Sequence, residues 1–143
     1  QEIFTAVAKY IIPRMRVVGS GASSDFEQKM FASATAQLGT GPEANRIIIA
    51  GMKALEKHQR ELLEMKEAFA IKEESLMGFS KVANEHFKKN PIFKKYKTSK
   101  ELAAAITEGK LDVGDLWFDK DAKKFRILSA VTVDELAKAG LFE

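Results

Sequence analysis

From Ile48 onward an apolar residue recurs at every seventh position: Ile48, Leu55, Leu62, Phe69 and Leu76. Two α-helical turns take about 7.2 residues, so this spacing lays the side chains along one narrow stripe of a single long helix. Thr40-Gly41-Pro42-Glu43 is its start signal. Thr40 can cap, Pro42 suits the first turn, and Glu43 stands three residues after Thr40. The helix is predicted from about Pro42 to Glu74, with Met52 and Met65 beside the stripe. The intermediate positions Gln59 and Lys66 are polar, so a long two-stranded coiled coil is not specified. A helix hairpin or a self-assembling bundle suits the pattern, and Ile48, Leu55, Leu62 and Phe69 form the candidate assembly seam. Glu56, Lys57, Arg60, Glu64 and Glu67 populate the other side, as expected of a solvated face.

Two shorter helices are predicted ahead of it. Ile3, Val7 and Ile11 are four apart, with Phe4 and Ala8 beside them, and Pro13 ends or kinks that helix. Arg14 to Val18 reads as a connector or short strand, and Gly19 to Ser23 as a flexible loop. Ser24 and Glu27 then have capping-box spacing for a helix from Asp25 to about Leu38. Its buried face is expected at Phe26, Met30, Ala34 and Leu38, with Phe31 alongside and Gly39 as the stop.

Beyond the long helix, Ser75 to Gly78 reads as a break, because glycine disfavours helix by about 1 kcal/mol relative to alanine. A further helix is predicted over Phe79 to Lys89, with Phe79, Val82, Ala83, His86 and Phe87 facing inward. Asn90-Pro91 stops it, and Ile92-Phe93 are expected to fold back onto the helices. Residues 98–143 change character. Ser99, Leu102, Ala103 and Ile106 mark a short helix that stops at Gly109. Leu116 to Asp119 and Phe125 to Leu128 read as strands of a hairpin around a polar turn. Thr132 with Glu135 reads as a last capping box, stopped at Gly140. The predicted fold class is mainly α: a helical hairpin or small bundle with a long central helix, plus a small C-terminal α+β unit containing a β-hairpin. The expected division is a helical domain over residues 1–93 and a tail over 94–143, with a lysine-rich connector at 94–100.

Composition narrows the chemistry. With 45% hydrophobic and 30% charged residues in 143, whole-chain disorder is not expected. There is no cysteine, so disulfides, thiolate zinc sites, iron–sulfur clusters and cysteine nucleophiles are excluded. Two histidines, His58 and His86, are too few for a three-histidine metal site. His58, between Lys57 and Gln59, is expected to be solvated, and His86 to pack beside Phe87. No Gly-x-Ser-x-Gly elbow and no phosphate-binding glycine loop is present. Asp112, Asp115, Asp119 and Asp121 cluster, but Leu116, Trp117 and Phe118 interrupt them where a calcium loop needs alternating ligands, so turn chemistry is the expectation. Glu27 and Glu43 are explained as capping partners rather than a catalytic pair. Trp117, the only tryptophan, is expected to pack the hairpin rather than to anchor a partner. The chain is therefore expected to be no enzyme, to use no cofactor and to take no small-molecule substrate.

The net charge of +3 is concentrated. Residues 81–100 carry seven lysines against Glu85, interleaved with His86, Phe87, Phe93 and Tyr96. Lysines among aromatics can contact phosphates and stack on bases, which makes Lys88, Lys89, Lys94, Lys95 and Lys97 candidate nucleic-acid contacts. A solvated helix end followed by a connector is the plainer alternative. The chain opens on Gln1, which predicts a processed chain or a piece of a longer one. Its first apolar stretch is short, carries Lys9 and lacks a preceding basic region, so no secretory signal is expected, and the chain is expected to be soluble.

The segment Arg16-Val17-Val18-Gly19-Ser20-Gly21-Ala22-Ser23-Ser24-Asp25-Phe26-Glu27 resembles an R-x-x-G-S-G-x-x-[ST]-D-[FY]-[DE] stretch of large bacteriophage virion proteins. Pro42-Glu43-Ala44-Asn45 and Asn90-Pro91-Ile92-Phe93 are similar to a helix start and a helix ending in the same family. The resemblance covers residues 14–93 and departs at Thr35 to Thr40, which lacks the family's proline. More weakly, Gly114-Asp115-Leu116-Trp117-Phe118-Asp119 resembles short C-terminal tails of phage structural proteins. Such segments lie toward the C-terminal end of long internal virion or DNA-ejection proteins, some of which carry a murein-degrading domain elsewhere. The resemblance implies a structural, DNA-transfer role in the phage particle, with delivery into the host cell envelope. It implies copies of the chain itself, other virion proteins (portal or ejection proteins) and double-stranded DNA as partners, and it brings no catalytic residue. Two alternatives stand beside it: a noncatalytic module of a phage cell-wall-degrading enzyme, and a stand-alone DNA-binding helical protein.

Overall fold

The computed structural model describes residues 22–36, 38 and 41–142. The expectations for residues 2–12, Pro13, Arg14 to Val18, the loop at 19–21, Gly39 and Thr40 lie outside the described residues. The described elements are α1 (Ala22–Ala36), α2 (Pro42–Glu73), α3 (Phe79–Lys89), β1 (Lys94–Tyr96), α4 (Ser99–Thr107), β2 (Leu116–Asp119), β3 (Lys124–Ile127) and α5 (Ala130–Lys138). The fold is mainly helical around one long helix, with a small C-terminal region that contains a β-hairpin. The chain divides into two units, the second beginning at Phe93.

In the first unit, α2 runs for 32 residues, about 48 Å at 1.5 Å per residue. Pro42 opens it as expected, but Gly41 is the N-cap residue, with no side-chain cap bond. Its buried residues are Ala44, Ile47, Ile48, Gly51, Leu55, His58 and Leu62. All but Ile47 fall in two rows, each of seven-residue spacing. One is the row predicted from sequence. The other starts at Ala44 and passes through Gly51, His58 and the half-buried Met65. Alternating steps of three and four residues make these rows adjacent on one helix face.

Helix α1 presents a different face from the one predicted. Phe26 is 64% exposed, and the buried positions are Glu27, Gln28, Phe31 and Thr35. Two contacts account for this rotation. The Phe31 ring lies directly over Gly51, where a Cβ would overlap its atoms. Glu27 Oε2 accepts the Ile92 amide at 2.9 Å, across 65 residues of chain. The Thr35 hydroxyl donates to Ala32 O at 2.9 Å, so its polar group is satisfied within the helix. Ser24 lies inside α1 rather than ahead of it, which removes the expected capping box there.

Helix α3 has the predicted bounds and returns antiparallel to α2. Phe79, Ala83 and Phe87 bury against Leu62, with Met65 and Phe69 at the margin. Phe69 and Phe79 rings lie 5.6 Å apart. Val82, expected inside, is exposed, as is Leu76, which lies past the end of α2. The break falls where expected: Glu74 turns left-handed at φ 53°, Ser75 Oγ accepts the Met77 amide, and Gly78 is the N-cap of α3.

The second unit is a three-stranded sheet of order β1-β2-β3 with two helices. β2 and β3 form the predicted antiparallel hairpin, pairing Leu116 with Ile127 and Asp119 with Lys124. β1 was not foreseen. It pairs parallel to β2, Lys94 beside Trp117 and Tyr96 beside Asp119. Parallel neighbours need a crossover, and α4 supplies it. The stretch 94–100 is thus a strand and a helix cap rather than a connector. Leu102, Ala103 and Ala105 of α4, Trp117, Leu111, Leu128 and Leu136 of α5 make the core. Thr98 Oγ1 caps α4 through the Glu101 amide. Both helices end in Schellman-type turns: the Lys110 amide reaches Ala105 O, and the Leu141 amide reaches Leu136 O, around Gly109 and Gly140 at positive φ. Helix α5 starts earlier than predicted. Ser129 is its cap, accepting the Thr132 amide at 3.2 Å, so Thr132 is the third helical residue and not the cap.

Candidate functional site

The two histidines, 28 positions apart in sequence, flank one phenylalanine. His58 of α2 packs edge-on against Phe87 with ring centroids 4.3 Å apart, and His86 does so at 4.9 Å. The sequence predicted a solvated His58; it is 5% exposed. The reason is its place in the second buried row, which a charged local neighbourhood conceals. Burial pushes the His58 imidazole below its ordinary range, and the Glu61 carboxylate partly opposes that. His86 packs beside Phe87 as expected, and its Nε2 lies 2.7 Å from Glu61 Oε1. A half-exposed contact of this kind contributes little stability on its own. The trio holds no serine or other nucleophile and reads as the inner seam of the α2–α3 hairpin.

The aspartates do turn work. Asp115 Oδ2 accepts the Asp112 amide at 2.8 Å. Asp119 Oδ1 accepts the amides of Asp121 and Ala122 at 3.0 Å, and its Oδ2 pairs with Arg126 Nε at 2.9 Å. Burial works against the Asp119 charge, but the Ala122 amide, Arg126 and the Asp121 amide outweigh it and hold the carboxyl below the usual range. Among the described residues no group of three or more acids or histidines could hold a metal ion. Trp117 is buried in the core with its indole N–H lacking an acceptor among the described residues, so it packs and does not present itself to a partner.

The candidate seam residues Ile48, Leu55 and Leu62 are 5%, 2% and 0% exposed within a single chain, and Phe69 is half-buried beside α3. Their apolar surface is therefore already used inside the first unit. The basic run is divided. Lys88 and Lys89 are exposed at the end of α3 in the first unit. Lys94 is exposed on β1 of the second, Lys97 follows that strand, and Lys95 is half-buried on the opposite sheet face from Lys94. Of the interleaved rings, Phe87 and Phe93 are unavailable for stacking on bases, at 2% and 1% exposed, while His86 and Tyr96 are half-buried. No described helix is long and apolar enough to cross a membrane. Comparison with known protein families, characterised proteins and solved structures finds no match to this chain.

Proposed function

We propose that this chain is a non-enzymatic structural segment of a bacteriophage particle, which associates with copies of itself and with portal or ejection proteins and assists genome ejection into the host. The observation that carries the reading is the residue pattern from Arg16 to Glu27, followed in order by Pro42-Glu43-Ala44-Asn45 and Asn90-Pro91-Ile92-Phe93. The physical character of the chain supports it. A protein leaving a capsid through a narrow channel must unfold and refold, and a chain without cysteine carries no cross-link to prevent this. Its α2–α3 and β2–β3 hairpins join elements that are neighbours in sequence, which favours fast refolding.

In this reading copies do not meet through Ile48, Leu55 and Leu62, which the chain covers itself. They meet through Ile49, Leu63 and Ile71, which lie on one exposed side of α2 at 100° per residue, and through Leu76 and Met77 beyond it. Particles assembled without this segment should adsorb to host cells as the parent does but transfer less labelled genome into them. Unimpaired transfer would overturn the reading.

A further inference from the structure

Lysines far apart in the chain meet at one end of the second unit. Tyr96 pairs with Asp119, and Asp119 with Lys124, so the end of β1, the end of β2 and the start of β3 lie side by side. The Lys120 amide donates to Tyr96 O at 2.9 Å, which ties the β2–β3 turn to the end of β1. Helix α4 begins at this same end, with only Lys97 and the Thr98 cap between Tyr96 and Ser99. Lys97, Lys100 in the first turn of α4, Lys120 and Lys123 in the hairpin turn, and Lys124 at the start of β3 therefore share one end of the sheet.

All five are exposed. Among the described residues none of them is in an ion pair, whereas Lys110 and Lys138 of the same unit pair with Glu108 and Asp134. The acids at this end are mostly engaged: Asp119 with Arg126 and two turn amides, and Glu101 with the Lys97 amide at 2.8 Å. Among the described residues Glu101 and Asp121 are the carboxylates at this end without a paired cation, two negative charges against five lysines. The positive end of the α4 dipole adds to the field.

We propose that this end of the second unit binds the phosphate backbone of double-stranded DNA without reading its sequence. Exposed, unpaired lysines are mobile point charges suited to phosphates. Single strands call for exposed aromatic platforms, but Trp117 and Phe125 are buried and Tyr96 packs against the core. A lipid surface calls for apolar side chains beside the charge, and the turn offers only Ala122. The surface differs from the contiguous run at 88–97, because Lys120, Lys123 and Lys124 join it only through the fold. It does not depend on the virion reading.

The test is fluorescence anisotropy of the full chain with a labelled duplex of mixed sequence, titrated with salt. With all five lysines engaged, log affinity should fall with log salt at a slope of about −4.5, or about 500-fold between 50 and 200 mM. Lys120→Gln with Lys124→Gln should lower that slope by about two. Adding Lys97→Gln, Lys100→Gln and Lys123→Asn should abolish binding; asparagine suits the left-handed backbone at Lys123, φ 54°. Should that five-fold variant lose its Trp117 fluorescence or helical signal, the two-lysine variant decides. Lys110→Gln with Lys138→Gln should leave affinity and slope unchanged. The proposal is overturned by an absence of binding at 50 mM salt, by an equal loss in the Lys110 and Lys138 variant, or by a loss carried wholly by Lys88→Gln with Lys89→Gln. Binding to vesicles of anionic lipid but not to DNA also overturns it.

Discussion

Phe31 and Gly51 are matched by shape. The ring is fully buried and occupies the space a side chain at Gly51 would need. A glycine in mid-helix costs about 1 kcal/mol against alanine, so Gly51→Ala would gain that much if nothing stood in its way. Here the aromatic ring does, and overpacking of a rigid group costs about 1–3 kcal/mol. Gly51→Ala should therefore lower the urea midpoint, and Phe31→Leu in the same chain should restore part of the loss. A midpoint raised by Gly51→Ala alone would refute the contact. His58 gives a second prediction. Its folded-state imidazole takes a proton less readily than the unfolded one, whose ordinary value is 6.5. Stability from this group is then fully present above pH 6.5 and declines as pH falls below it. The slope is at most about 1.4 kcal/mol per pH unit, one proton's worth. His58→Leu should remove that decline between pH 6.5 and 5.5, before carboxylates titrate. Equal slopes in both proteins would contradict the burial of His58. Neither residue was legible locally: His58 sits between Lys57 and Gln59, and Gly51 looks like a weak point until the ring above it is known.

At the scale of elements, the strongest periodic signal read true. The row Ile48, Leu55, Leu62 set the core side of α2, and α3 starts and stops where Gly78 and Asn90-Pro91 say it must. The second row is hidden in the sequence because Gly51 has no side chain and His58 stands between Lys57 and Gln59, which leaves Met65 as its one large apolar residue. Helix α1 was rotated because its apolar residues do not choose its face; a notch in α2 and the Ile92 amide do, and both are distant in sequence. β1 is three residues of Lys-Lys-Tyr, whose charge hides a strand that only parallel pairing with β2 makes visible. Capping shows the same limit at short range. Two hydroxyls three apart, Ser129 and Thr132, compete for the start of α5, and the structure assigns it to Ser129. Ser129→Ala should cost about 1 kcal/mol, and Thr132→Ala less, since the Thr132 amide keeps its acceptor. Thermal melts in which Thr132→Ala is the more damaging change would restore the later cap.

Across the whole molecule, the fold class was readable and the role of its surfaces was not. Patterning alone defines helices, a hairpin and their order, because each depends on neighbours within a few turns. Which apolar row meets a partner, and which lysines stand together, depends on contacts between elements. The row offered as an assembly seam is consumed inside the chain, and the basic run is shared between two units. The part proposed for this chain in a phage particle rests on residues 14–93 of its sequence, and it is most directly tested on the particles themselves. Mass spectrometry of purified virions, before and after triggered DNA ejection, should find peptides of this chain before and a marked loss of them after. Peptides that persist in emptied particles would make it a fixed head, portal or tail component, contradicting a part that travels with the genome. Their absence from both samples would contradict the virion assignment altogether.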